Sequence, residues 1–344
     1  MMIKIRAYPE LDTIRFISII LVVISHFFSR ESSLLAWFSD HGSVGVDIFF
    51  VLSGFLITRI LMDEYAEAET INLKRFWFRR ALRLWPSWLF IFVIFLMSSP
   101  YYKFWWHYLF HFGNYSLIQN QAYQPYSLYW SLAVEEHFYF IWPILFILLN
   151  KIVKFKKLIL SIVLLLPFVF RVYHSFNSKN PILIMFATHS RFDQPLAGCI
   201  LALYFEHLPN LNWFKELLIS LVIFLLFIIS FYFLSSIKGP SVLAQFNYLV
   251  TALASCLLIL VAMKGSDKGL RKLLKITILS KLGVLSYGVY LVHVLVLRPF
   301  LYFSFEKYAI NYHLIVVIIL VLSFIAAYLL YKLIEVPLAI YKNK

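Results

Sequence analysis

Charge is scarce in this sequence. Only 14% of its 344 residues are Asp, Glu, Lys or Arg, against roughly 25% in an average soluble domain. Apolar residues make up 62% of the chain and aromatic residues 19%. That balance excludes an ordinary soluble enzyme or a disordered regulator, because apolar surface on this scale cannot be hidden inside one aqueous core. Cysteine is equally scarce. Cys199 and Cys256 both sit in apolar runs and support neither a disulfide framework nor a metal site. Internal repeats, low-complexity tracts and a polar stretch long enough for a soluble domain are also missing, so one domain over 1–344 with no appended soluble domain is expected. What remains is a chain of mean hydropathy +0.81, which belongs in lipid.

A run of about 20 apolar residues spans a hydrocarbon core of roughly 30 Å. The expected fold is therefore an all-α bundle of about ten transmembrane helices, at 11–28, 43–62, 84–99, 127–149, 158–174, 182–205, 214–235, 245–263, 282–302 and 313–334. The first run follows Lys4 and Arg6 in the manner of a signal peptide. It contains Asp12 and Arg15 and no small-residue cleavage site follows it, so it reads as a retained first helix.

Basic residues outnumber acidic ones 31 to 17, giving a net charge of +14. Such an excess can signal nucleic acid, but here the basic residues lie at the ends of apolar runs. With the N-terminus inside, 22 fall in inner segments and five in outer loops. This asymmetry explains the charge as orientation, excludes a nucleic-acid partner and places both termini in the cytoplasm of a multi-pass plasma-membrane protein. The outer loop over 100–126 is rich in Tyr, Trp, Phe and His, which suits an interfacial belt or a sugar-stacking surface.

An ionisable residue inside a span is costly and needs a partner or a task. Asp12, Arg15 and His26 share one face of the first helix, with Arg15 and His26 roughly 16 Å apart along its axis. Arg15 could simply pair with Asp12 while His26 bonds a neighbouring helix, yet imidazole is also the side chain best suited to general-base work near neutral pH. Between the second and third spans, Arg80 and Arg83 lie one helical turn apart among Trp and Phe. They fit either ordinary anchoring to lipid phosphate or capture of a phosphorylated cosubstrate such as coenzyme A. In the fourth span Glu135 and Glu136 are adjacent and must diverge around the helix. A structural pair with Arg191 or Arg298 would satisfy one of them, and Asp193 would pair with Arg191.

Together these segments resemble the membrane acyltransferase-3 family of bacterial O-antigen and exopolysaccharide O-acetyltransferases. The resemblance is carried in order by Leu11-Asp12-Thr13-Ile14-Arg15 with His26, by Gly45-Val46-Asp47 through Ser53-Gly54-Phe55, by Arg80 and Arg83 with Pro86, by Trp130 through Tyr139, and by Ser286-Tyr287-Gly288-Val289-Tyr290-Leu291-Val292-His293. It implies an acyltransferase that moves an acyl group, acetyl first of all, from cytoplasmic acetyl-CoA or another acyl-CoA to a hydroxyl of a lipid-linked or surface glycan. It further implies His26 as base or acyl carrier with Arg15 as its partner in the motif, Arg80 and Arg83 on the acyl-CoA, and Glu135 as the catalytic carboxylate orienting the imidazole. Thr13, where the family has glycine, and His137, before Phe138-Tyr139, depart from its pattern. A secondary transporter or glycan flippase would also use buried charges, but no inverted repeat is visible. A polyprenyl-linked glycosyltransferase would carry a charged outer loop, and 100–126 is almost uncharged.

Overall fold

A computed structural model describes residues 8–27, 44–98, 105–120, 128–151, 156–177, 181–234, 237, 240–301 and 312–339, and these are predominantly helical with no strand among them. In chain order the helices are α1 (Pro9–Phe27), α2 (Val44–Ala68), α3 (Leu73–Ser98), α4 (Trp105–Leu109), α5 (Gly113–Asn120), α6 (Trp130–Lys151), α7 (Lys156–Asn177), α8 (Pro181–Phe186), α9 (Thr188–Arg191) and α10 (Asp193–Tyr204). They continue as α11 (Trp213–Ile228), α12 (Val242–Lys264), α13 (Leu270–Leu274), α14 (Thr277–Val284), α15 (Ser286–Leu301), α16 (Tyr312–Leu330) and α17 (Val336–Ala339). α11 and α16 each run on into a π-helical turn, Ile229–Leu234 and Tyr331–Glu335.

Among the described residues seven helices are long and apolar enough to cross a membrane, and an eighth span results if α14 and α15, bent by 65° at Leu285, are counted together. The protein is an all-α, multi-pass membrane protein, but the expected count of ten is not met by this measure. The first expected span, α1, carries Glu10, Asp12 and Arg15 in its first two turns. The sixth, 182–205, is broken at Ala187 and Phe192 into α8, α9 and α10. The basic segment 74–83 does not precede the third span as a separate element, because α3 runs through it without interruption.

Position in the bundle follows from which faces are apolar. α2 is apolar on all sides and is the most buried of the seven spans, whereas α11, with a mean hydropathy of 3.0, exposes Leu217, Leu221 and Phe224 as a lipid-facing surface. α2 and α10 touch backbone to backbone. A Cβ on Gly54 would collide with the Pro195 carbonyl, and one on Gly198 with the Val51 carbonyl. Small residues at such crossings let membrane helices gain dispersion contacts that apolar side chains cannot supply in lipid.

Two turns along α2 from this crossing, at Asp47, lies an ionic knot. Arg191 pairs with Asp47, which also accepts from the Thr251 hydroxyl at 3.1 Å. Arg171 donates to Asp193 at 2.7 Å and to the Ser190 carbonyl at 2.6 Å. Both guanidiniums lie against the Tyr248 ring. Two cations against two carboxylates make the knot neutral, which is how fully buried charge is tolerated. Arg191 is therefore the partner of Asp47 and not of Glu135 or Glu136, and Asp193 belongs to Arg171. The side chain of Arg298 lies outside the described residues.

Candidate active site

A cavity of about 310 Å³ opens at the basic end of the bundle between α1, α2, α3, α6, α14 and α15. α1 enters it with Asp12 and Arg15, three residues apart, and Arg15 Nη1 donates to Asp12 Oδ1 at 2.5 Å. α3 brings Arg80 and Arg83 to the same wall, Arg83 exposed at the mouth and Arg80 deeper, its guanidinium 5.5 Å from the centre of the Tyr139 ring. The indole of Trp77 donates to the Tyr139 carbonyl at 3.2 Å and the Tyr287 hydroxyl to the Leu84 carbonyl at 2.7 Å, which fixes α3 against α6 and α15.

Glu135 faces this cavity. Its Oε1 accepts from the Ser53 hydroxyl at 2.8 Å and its Oε2 from the Tyr139 hydroxyl at 3.3 Å. Glu136 turns away, and its Oε2 accepts from the Trp85 indole at 3.4 Å. The adjacent carboxylates diverge as an α-helix requires, and only Glu135 lines the cavity. Three guanidiniums against two carboxylates leave the cavity cationic, in the planar donor geometry that suits phosphate oxygens.

His26 lies elsewhere. It sits at the opposite end of α1 and outside the cavity lining, with its Nδ1 3.1 Å from His293 Nε2 and the two rings stacked at 5.2 Å. The expectation that a carboxylate orients this imidazole is corrected here. Among the described residues the partner of His26 is His293, and Glu135 is engaged by Ser53 and Tyr139. Tyr290 connects the two places: it lines the cavity, and its ring packs 5.6 Å from that of His293. Its hydroxyl donates to the Leu128 carbonyl and accepts from Ser131, both at 2.6 Å.

The structure thus brings together Arg15, Arg80, Arg83 and Glu135 and leaves His26 beyond Tyr290. Sequence reasoning did not assign roles to Ser53, Tyr139, Tyr290 or His293. The available signal was that Tyr139 shares α6 with Glu135 and that Ser53, Tyr290 and His293 stand in apolar helices α2 and α15, since a hydroxyl or imidazole in a span seeks a polar partner. Part of the aromatic outer loop is described. Trp105, Trp106, Phe110 and Phe112 are exposed on and around α4, as an interfacial belt would be, and 100–104 and 121–126 lie outside the described residues.

Apolar helices arranged around a cationic cavity define a polytopic membrane protein with an intramembrane polar site. The family model for an acyltransferase domain matches residues 8–332, and the chain belongs to this acyltransferase-3 family. Among its relatives, the peptidoglycan O-acetyltransferase OatA of Listeria monocytogenes is 34% identical over 216 residues, covering 56% of this chain and 33% of the relative. The O-acetyltransferase OatA of Staphylococcus aureus is 32% identical over 218 residues, covering 57% and 34%. YrhL of Bacillus subtilis is 29% identical over 323 residues, covering 84% and 48%. The matched region is less than half the length of each of these relatives. No solved structure matches the chain.

Proposed function

We propose that this protein transfers an acyl group, acetyl first of all, from acyl-CoA on the cytoplasmic side of the plasma membrane to a hydroxyl of a cell-surface glycan. The observation that carries the reading is the convergence of Arg15, Arg80 and Arg83 with Glu135 on one cavity at the basic end, the end that the distribution of Lys and Arg assigns to the cytoplasm with both termini. The arginines hold the phosphates of the donor, and the acyl-bearing arm runs inward past Glu135 toward Tyr290. Glycan enters from the opposite end, where His26 stands. His26 takes the proton of the sugar hydroxyl, the oxygen attacks the thioester carbonyl, the carbon–sulfur bond breaks, and the proton passes to the departing thiolate as free coenzyme A. Support for a glycan acceptor comes from the peptidoglycan named for the relatives. An O-antigen or exopolysaccharide acceptor uses the same hydroxyl chemistry.

The test is purified protein in lipid nanodiscs, supplied with acetyl-CoA and, in parallel, peptidoglycan fragments or lipid-linked surface glycan. Glycan-dependent release of free thiol with an ester on the glycan supports the reading. Transport of glycan across a vesicle membrane with no thiol release would replace it with the flippase.

A further inference from the structure

The geometry points to His293 as the positioning residue that sets the tautomer of His26, holding the Nδ1 proton in place and leaving the Nε2 lone pair free to act as base. The inference rests on the functional reading above, in which His26 is that base. His293 Nδ1 lies 2.6 Å from the Tyr290 carbonyl oxygen and 3.3 Å from that of Val289. A carbonyl oxygen only accepts, so the proton of this ring is on Nδ1, and a neutral imidazole has only one. His293 Nε2 therefore presents a lone pair. That lone pair lies 3.1 Å from His26 Nδ1, so the contact is a hydrogen bond only if His26 Nδ1 carries the proton and donates it. His26 Nε2 is then unprotonated.

The arrangement does for His26 what a carboxylate does in a catalytic triad, which is to fix orientation and tautomer through the nitrogen that does not react. Both rings are in helices, and His293 is 1% exposed. Among the described residues no carboxylate bonds to either ring, so the chain of donors runs from His26 through His293 and ends on the α15 backbone. The two rings are 17° from parallel with their centres 5.2 Å apart. Tyr290, whose backbone carbonyl anchors His293, also places its side chain between the histidine pair and the donor cavity, so the residue that holds His26 and the inner wall of that cavity share one turn of α15.

The experiment compares wild-type protein with His293→Gln, His293→Phe and His26→Asn in nanodiscs, using 15N-histidine spectra and acyl-transfer kinetics together. Subtracting the His26→Asn spectrum isolates His26 among the ten histidines. The expected wild-type signal is a protonated Nδ1 with an unprotonated Nε2. Gln can accept from His26 through its amide oxygen and should keep transfer within about tenfold of wild type. Phe keeps the ring and removes the acceptor. It should lower kcat by roughly 100-fold, the low end of what a positioned base contributes, with KM for acetyl-CoA unchanged because the donor site is at the other end of α1. A wild-type His26 protonated on Nε2, or a His293→Phe protein that raises KM and spares kcat, overturns the inference. If the tautomer is as stated and His26→Asn still transfers acyl groups, the functional reading fails instead, and the hydrogen bond stands as structure alone.

Discussion

Glu135 and Glu136 are neighbours in sequence with different surroundings, one accepting two hydroxyls inside the cavity and the other an indole at 36% exposed Trp85. Glu135→Gln keeps size and hydrogen-bonding capacity and removes charge, so it should lower the acyl-transfer rate by at least about tenfold, as loss of a charged partner at a reacting site does. Glu136→Gln should stay within about threefold in the same assay. Arg80→Ala and Arg83→Ala should raise the acetyl-CoA concentration needed for half-maximal rate by roughly 10- to 100-fold, since a charge-assisted contact contributes about 1.5–3 kcal/mol. Lys at either site should recover only part of this, being a point charge without the fork. Loss of membrane insertion in these variants would favour the anchoring role. Much of this residue-scale picture was legible in sequence because it is local: the Asp12–Arg15 pair, the Arg80–Arg83 turn and the divergence of two adjacent carboxylates all follow from helical spacing. The partner of His26 was not, because His293 is 267 residues away and spacing within one helix says nothing about which helix packs beside it.

At the scale of elements, the fold depends on a few backbone contacts. α14 meets α1 where a Cβ on Gly283 would fall on the Asp12 carbonyl, one turn from Arg15. Gly283→Ala should push α14 away, costing about 1–3 kcal/mol in detergent unfolding, and should weaken acetyl-CoA binding because Arg15 moves with its turn. Asp47→Ala should cost more, about 3–5 kcal/mol by the same measurement, because it leaves the Arg191 guanidinium buried without its carboxylate. Span existence was readable from apolar run length, as α2, α7, α11, α12 and α16 illustrate. The breaks at Ala187 and Phe192 flank a polar stretch, Thr188, His189, Ser190 and Arg191 followed by Asp193, which made the bounds of that span soft without fixing where the helix stops, and the bend at Leu285 lies between two apolar segments whose spacing does not mark it.

At the scale of the whole molecule, the bundle separates a cationic cavity at its basic end from a histidine pair toward the other end, with Tyr290 between them. Two substrates of unlike chemistry, a phosphorylated donor and a neutral polyhydroxyl acceptor, would then approach from opposite sides of the membrane and meet inside it. The most direct measurement of that claim is mass spectrometry of the surface glycan from cells that carry the protein, lack it, or carry His26→Ala. The account predicts an ester-linked acyl mass on the glycan with the native protein and its loss in the other two. A glycan whose mass is the same in all three would contradict it.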